Sequence, residues 1–133
     1  MRHRRKGRKL GVRSDHRKQV LRNLAAGLIL GEQITTTEGK GKEVKRFVEH
    51  LMSLAVRLPH SPQNPEEKNT RLTGIRRIFA ELPHKQACIR LLERAKEFSG
   101  RETGFLHLYR LLPRKGDSAP RVLLKWVESE KAG

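Results

Sequence analysis

One cysteine in 133 residues excludes an internal disulfide and any cysteine-based metal cluster. That residue, Cys88, shares a helical face with Leu91, Leu92 and Ala95, and so reads as a small buried hydrophobe rather than a reactive thiol. Aromatic side chains are scarce at 5%, which is thin for a protein that captures single strands by stacking bases on rings. No apolar run reaches membrane-spanning length and no charged, apolar, small-residue signal opens the chain, so a soluble, non-secreted protein without membrane insertion is expected. Acid is also missing where it would matter most: the first thirteen residues hold seven Lys/Arg and no carboxylate.

What is present is positive charge. Thirty lysines and arginines oppose fourteen acids, a formal net charge of +16. The excess is not confined to the N-terminus, since residues 1–50 hold 14 basic and 5 acidic groups and residues 51–133 hold 16 and 9. Residues 1–13 cannot bury enough apolar surface to offset chain ordering, but against phosphates they exchange condensed counterions for fixed contacts. Arg2, His3, Arg4, Arg5, Lys6, Arg8, Lys9 and Arg13 are therefore candidate nucleic-acid-binding residues, the plainer alternative being a solvated tail or a targeting signal. The length suits one α/β domain over residues 14–128, with the basic arm before it and a frayed tail at 129–133.

Hydrophobic periodicity divides that domain. Ser14 is a good N-cap for a helix over 14–31, in which Val20, Leu21, Leu24, Ala25 and Leu28 recur at helical spacing, with His16, Arg17 and Arg22 as candidate extensions of the phosphate track and Gly31 as its stop. Residues 33–37 are rich in β-branched side chains and predict a strand whose terminal Thr37 caps the next helix, about 38–57, with Val44, Phe47, Val48, Leu51, Leu54 and Ala55 on its inner stripe. Gly39 and Gly41 in its first turn each cost about 1 kcal/mol of helix propensity. Either they let backbone amides with Lys40 and Lys42 approach a phosphate at the positive helix end, or they are a tolerated flexible turn.

Asn64, Pro65 and Glu67 supply cap, first-turn proline and capping-box carboxylate for a third helix through Leu72, Ile75, Ile78, Phe79 and Leu82, and Pro83 separates it from a fourth over 84–98. These two helices are expected to be neighbours. The period then changes: residues 105–112 and 122–127 are strand-like, joined by a basic loop in which Gly116 and Asp117 supply turn chemistry and Arg114, Lys115 and Arg121 supply charge. The expected architecture is two layers, about four helices on a sheet of about three strands.

This order meets a specific set of residues. Met1, Arg2, His3, Gly7, Leu10, His16, Arg17, Arg22, Asn23, Leu24, Ala25, Glu32, Ile34, Thr36, Thr37, Lys40, Lys42, Glu43, Glu49, Leu54 and Ala55 make the chain resemble the bacterial-type large-subunit ribosomal protein seventeen family. Arg101, Gly104, Phe105, Arg114, Gly116, Asp117 and Ala119 extend the resemblance through the second half. It implies helices packed on a small sheet, a basic extension that penetrates ribosomal RNA, and a place on the large subunit near the polypeptide exit tunnel among other ribosomal proteins. It also implies a ribosomal location, and an arm that starts at the initiator methionine without an apparent transit peptide favours the bacterial cytoplasm, an organellar copy being the alternative.

The function expected is that of a structural constituent whose arm bridges phosphate backbones, with Lys40, Lys42, Arg114 and Lys115 adding contacts from the folded body. Partners are large-subunit ribosomal RNA and neighbouring proteins, with no cofactor, metal or small-molecule substrate. A nucleoid-type DNA-binding protein is the rival that charge alone permits. Catalysis has little to stand on: the histidines at 3, 16, 50, 60, 84 and 107 form no close pair of metal-ligand spacing, and no nucleophile-base motif or P-loop occurs.

Overall fold

The computed structural model describes residues 14–128. The basic arm at 1–13 and the tail at 129–133 lie outside the described residues. Helix α1 (Ser14–Gly31) leads through strand β1 (Gln33–Thr37) into α2 (Glu38–Val56); α3 (Pro65–Glu81) and α4 (Lys85–Glu97) follow, and the hairpin β2 (Leu106–Leu111) and β3 (Arg121–Trp126) ends the fold. This is an α+β arrangement of four helices and one three-stranded antiparallel sheet in the order β1-β3-β2.

The last strand is central because it is the most apolar. Val122, Leu124 and Trp126 alternate inward and are buried, while β1 and β2 flank them with Thr36 opposite Val122, Ile34 and Leu108 opposite Leu124, and Leu106 opposite Trp126. Helix α2 lies across that inner face against all three strands, with α1 and α4 beside it and α3 on α2. The core joins Leu28 and Ile29 of α1, Val44, Val48, Leu51 and Met52 of α2, Ile78 and Leu82 around the end of α3, and Leu91 of α4 with Phe105. Each such side chain contributes about 1.5–3 kcal/mol on burial, so the core outweighs surface ion pairs worth about 0.2–1 kcal/mol each. Phe98 meets Phe105 edge-on at 5.5 Å and lies beside Trp126 at 6.3 Å, closing the core beneath the sheet.

The third helix starts as its sequence predicts: Asn64 Oδ1 accepts from the Glu67 amide at 2.8 Å, and Glu67 Oε2 accepts from the Gln63 amide at 3.0 Å. Helix α1 ends at Gly31 as expected, and Glu32 beyond it takes the left-handed conformation (φ +68°) with its carboxylate bonded to arginines of α4. Other expectations need correction. Thr37 sits at the cap position of α2 without a side-chain cap hydrogen bond; the Glu38 amide instead donates to Pro120 O at 3.0 Å, tying the helix start to the hairpin loop. Helices α3 and α4 are neighbours as expected, although α3 makes its larger contact with α2. Of its apolar residues Ile78 enters the core, whereas Leu72 and Phe79 are each 46% exposed.

Cys88 is buried, its Sγ donates to Leu82 O at 3.1 Å, and burial pushes the thiol's pKa up, as suits a packing residue. The glycine turn has a packing explanation that neither alternative contained. Gly41 is buried where α2 crosses β3, and a β-carbon there would overlap a methyl of the fully buried Val122. Gly41→Ala is therefore expected to lose about 1–3 kcal/mol through overpacking, more than the roughly 1 kcal/mol it gains in helix propensity. Gly31→Ala, which meets no atom within 4 Å, serves as control and should be neutral or stabilising. Denaturant unfolding of the two variants decides it, and equal stability would remove the packing explanation.

Candidate nucleic-acid interface

Residues 14–128 retain 22 lysines and arginines against 13 acids, so the folded body is itself cationic. The fold sorts these cations into those held by the protein and those left to a ligand. In α1, His16 and Lys18 are exposed and Arg17 is half-buried, its Nε enclosed without a hydrogen-bond partner among the described residues. Arg22 is committed elsewhere. Its Nε donates to Glu81 O at 3.0 Å and its Nη2 to Ala80 O at 3.5 Å, so it binds the negative C-terminal end of α3.

At the start of α2, Lys42 pairs with Glu38 at 2.9 Å, and Arg110 of β2 approaches the same carboxylate at 3.3 Å. The Glu38 carboxylate thus occupies the positive end of the helix, and Gly41 is turned to the sheet. Lys40 makes no ion pair among the described residues.

The hairpin loop is ordered by one carboxylate. Asp117 Oδ1 accepts from Arg114 Nε at 3.0 Å and from the Ala119 amide at 3.1 Å, and its other oxygen pairs with Arg114 Nη2. Gly116 (φ +102°) and Ser118 (φ +55°) supply the left-handed corners, and the amide of Arg114 donates to Ala119 O at 2.9 Å across the base. Arg121 Nε donates to Leu112 O at 3.0 Å. Arg114 therefore shapes the loop, and Lys115 is the exposed cation that it presents.

Two features escaped the sequence reading. Arg57 and Arg77 flank a cleft of about 510 Å³ between α2 and α3, floored by Leu54, Leu58 and Gly74. Arg77 and Arg57 are twenty residues apart and come to one cleft only through the packing of α3 on α2. The second is a clamp at the end of α1. Glu32 Oε1 accepts from Arg90 Nη2 at 2.9 Å and from Arg94 Nη2 at 2.8 Å; Arg94 is buried, with its guanidinium 4.6 Å from the centre of the Trp126 ring. Trp126 Nε1 donates in turn to Leu28 O at 3.3 Å. The Arg90 and Arg94 hydrogen bonds hold the Glu32 carboxyl below the usual range, and Glu32 raises Arg90. Of the histidines, His84 is a helix cap, accepting from the Ala87 amide through Nδ1 at 3.1 Å, and His50 lies 3.4 Å from Glu81 while its neighbour Glu49 turns to the Leu106 amide.

A cationic body with internally braced arginines is a shape that comparison with known proteins can place. The family model described as Ribosomal protein L17 matches residues 20–127. The chain belongs to the ribosomal protein L17 family. "Large ribosomal subunit protein bL17" of Thermomicrobium roseum is 38% identical over 128 residues, covering 96% of this chain and 99% of that protein. Proteins of the same name from Aliarcobacter butzleri and Staphylococcus haemolyticus are 35% and 32% identical, covering 96% and 91% of this chain and 100% and 98% of their own. The family match spans every described element from the body of α1 to β3, so the Glu32 clamp and the hairpin loop both lie within it.

Two outcomes test the braces. Glu32→Gln keeps shape but removes the charge opposite Arg94; because the Glu32 side chain is 60% exposed, water shields the pair and the expected loss is about 1 kcal/mol. Glu32 has a lowered pKa, so its contribution is present above the ordinary carboxylate range and disappears as pH falls through the lowered value; denaturant unfolding of the Gln variant should lack that acid-side decline. Asp117 is held down to about 2 from 3.8, chiefly by Arg114 and then by the Ala119 amide. Carboxyl NMR should find it ionised at pH 3, and Arg114→Ala should return it toward the ordinary value.

Proposed function

We propose that this chain is a structural constituent of the large ribosomal subunit that holds folded ribosomal RNA through its phosphate backbone. Membership of the L17 family carries the reading, because relatives matched end to end are named as large-subunit proteins. Charge supports it independently: +16 overall, with seven cations in the first thirteen residues, suits a polyanion and suits no small neutral substrate.

In this reading the arm residues Arg2, His3, Arg4, Arg5, Lys6, Arg8, Lys9 and Arg13 cross between RNA helices that repel one another. His16, Arg17, Lys40 and Lys115 add contacts from the folded body. Arg22, Lys42 and Arg114 act one step back, since their charges are already spent on α3, Glu38 and Asp117. Base reading is unnecessary, because folded RNA offers a distinctive shape with phosphate and 2′-hydroxyl positions. The resemblance adds a site near the polypeptide exit tunnel, beside other ribosomal proteins, in the bacterial cytoplasm.

The test is sedimentation of a tagged copy through a sucrose gradient after a moderate-salt wash. The expected result is co-migration with the large subunit, lost on deletion of residues 2–13. About six phosphate contacts predict that log affinity for large-subunit RNA falls against log salt with a slope of roughly −4 to −5, flattened by the deletion. A protein that stays free, or that follows genomic DNA, would overturn the proposal, the second outcome favouring a nucleoid role.

A further inference from the structure

With the helices on one side, the other side of the sheet is open. Strand alternation and register place nine side chains there in three rows: His107, Lys125 and Gln33; Tyr109, Leu123 and Thr35; Leu111, Arg121 and Thr37. Gln33, Thr35, His107, Tyr109, Leu111 and Lys125 are exposed on it. Tyr109 is 47% exposed at its middle row, with the His107 ring tilted 5.6 Å away. The other aromatic rings near the sheet, Phe98, Phe105 and Trp126, are buried on the helix side, so Tyr109 is not used by the core.

The chemistry of the face selects one class of occupant. None of the nine positions is a carboxylate, while Lys125 and Arg121 lie in the rows on either side of Tyr109. A π-face between two cations matches an unpaired nucleotide: its base stacks on the ring while the phosphates before and after it reach the flanking rows. Gln33, Thr35 and Thr37 offer donors and acceptors along the adjoining edge strand for base edges or 2′-hydroxyls. A protein occupant would have to bring its own carboxylates to both Lys125 and Arg121, and an RNA duplex offers no free base to the ring. One stacked base needs one ring, so the general scarcity of aromatics does not oppose it.

Resting on the ribosomal reading above, we propose that the open sheet face stacks a single unpaired nucleotide of large-subunit ribosomal RNA on Tyr109, with Lys125 and Arg121 on its neighbouring phosphates. The site differs in kind from the arm, because stacking adds affinity without releasing counterions. The two contributions therefore separate in a salt titration.

The experiment measures binding of the full chain to large-subunit ribosomal RNA over a range of salt. Tyr109→Ala should weaken binding about 5- to 150-fold at every salt concentration with an unchanged slope, and Tyr109→Phe should retain affinity. Lys125→Gln should reduce the slope by about 0.7–0.9. A photoreactive residue at position 109 should crosslink to RNA in assembled subunits. Tyr109→Ala binding within twofold of the parent while its unfolding midpoint is unchanged, or a crosslink from position 109 to a protein, overturns the proposal. If the parent chain fails to bind this RNA at all, the ribosomal reading itself falls, and the two failures are thereby distinct.

Discussion

The fold depends on a buried arginine. Arg94 lies buried on the inner face of α4, where its guanidinium needs partners. Glu32 supplies the opposite charge, Trp126 supplies a ring face, and the Trp126 indole is itself anchored to Leu28 O. The consequence reaches beyond one ion pair. Glu32 is the residue at which the chain leaves α1, and its left-handed backbone turns the next residues into line with β3. The clamp therefore joins the consecutive first helix and first strand to the last helix and last strand, which are far away in sequence.

Placing β1 beside β3 in this way does what the hairpin cannot do alone. A two-stranded ribbon is marginal in water, whereas a third strand and a helix layer give it a face to bury. Thr37 pairs with Arg121, and the Glu38 amide reaches Pro120 O, so α2 begins where the sheet ends. The absence of a side chain at Gly41 then lets α2 descend onto Val122. Each step needs the previous one: without the β1 to β3 pairing, a glycine in the first turns of a helix has only its propensity cost.

Element type and extent were legible because they rest on local chemistry. Periodicity marked α1 and α2, β-branched residues marked β1, and Asn64 with Pro65 and Glu67 marked the start of α3. What was not legible rests on contacts distant in sequence. Gly31 marked the end of α1, but nothing local showed that Glu32 would take the left-handed position beyond it and meet two arginines some sixty residues away. Leu72 and Phe79 fit a helical stripe, but α3 leans on α2 by a narrow contact and leaves them outside. At the site, the sequence identified which side chains are cationic and could not say which were already neutralised. Arg22, Lys42 and Arg114 are paired with carbonyls or carboxylates that only the fold brings near or orients.

That distinction bears on how such a basic chain folds at all. A net charge of +16 repels itself, and a free protein with every cation solvated would carry that repulsion undiminished. The structure lowers it locally by setting its few acids where two cations converge: Glu32 between Arg90 and Arg94, and Glu38 between Lys42 and Arg110. These pairs stabilise the scaffold rather than the surface. The cations without such partners, Lys40, Lys115 and Lys125 among them, are therefore the ones whose repulsion a polyanion would relieve, so binding and stability are thermodynamically linked through them. Division of the charges follows from the sites of the acids, and it makes a cationic surface compatible with a conventionally packed core.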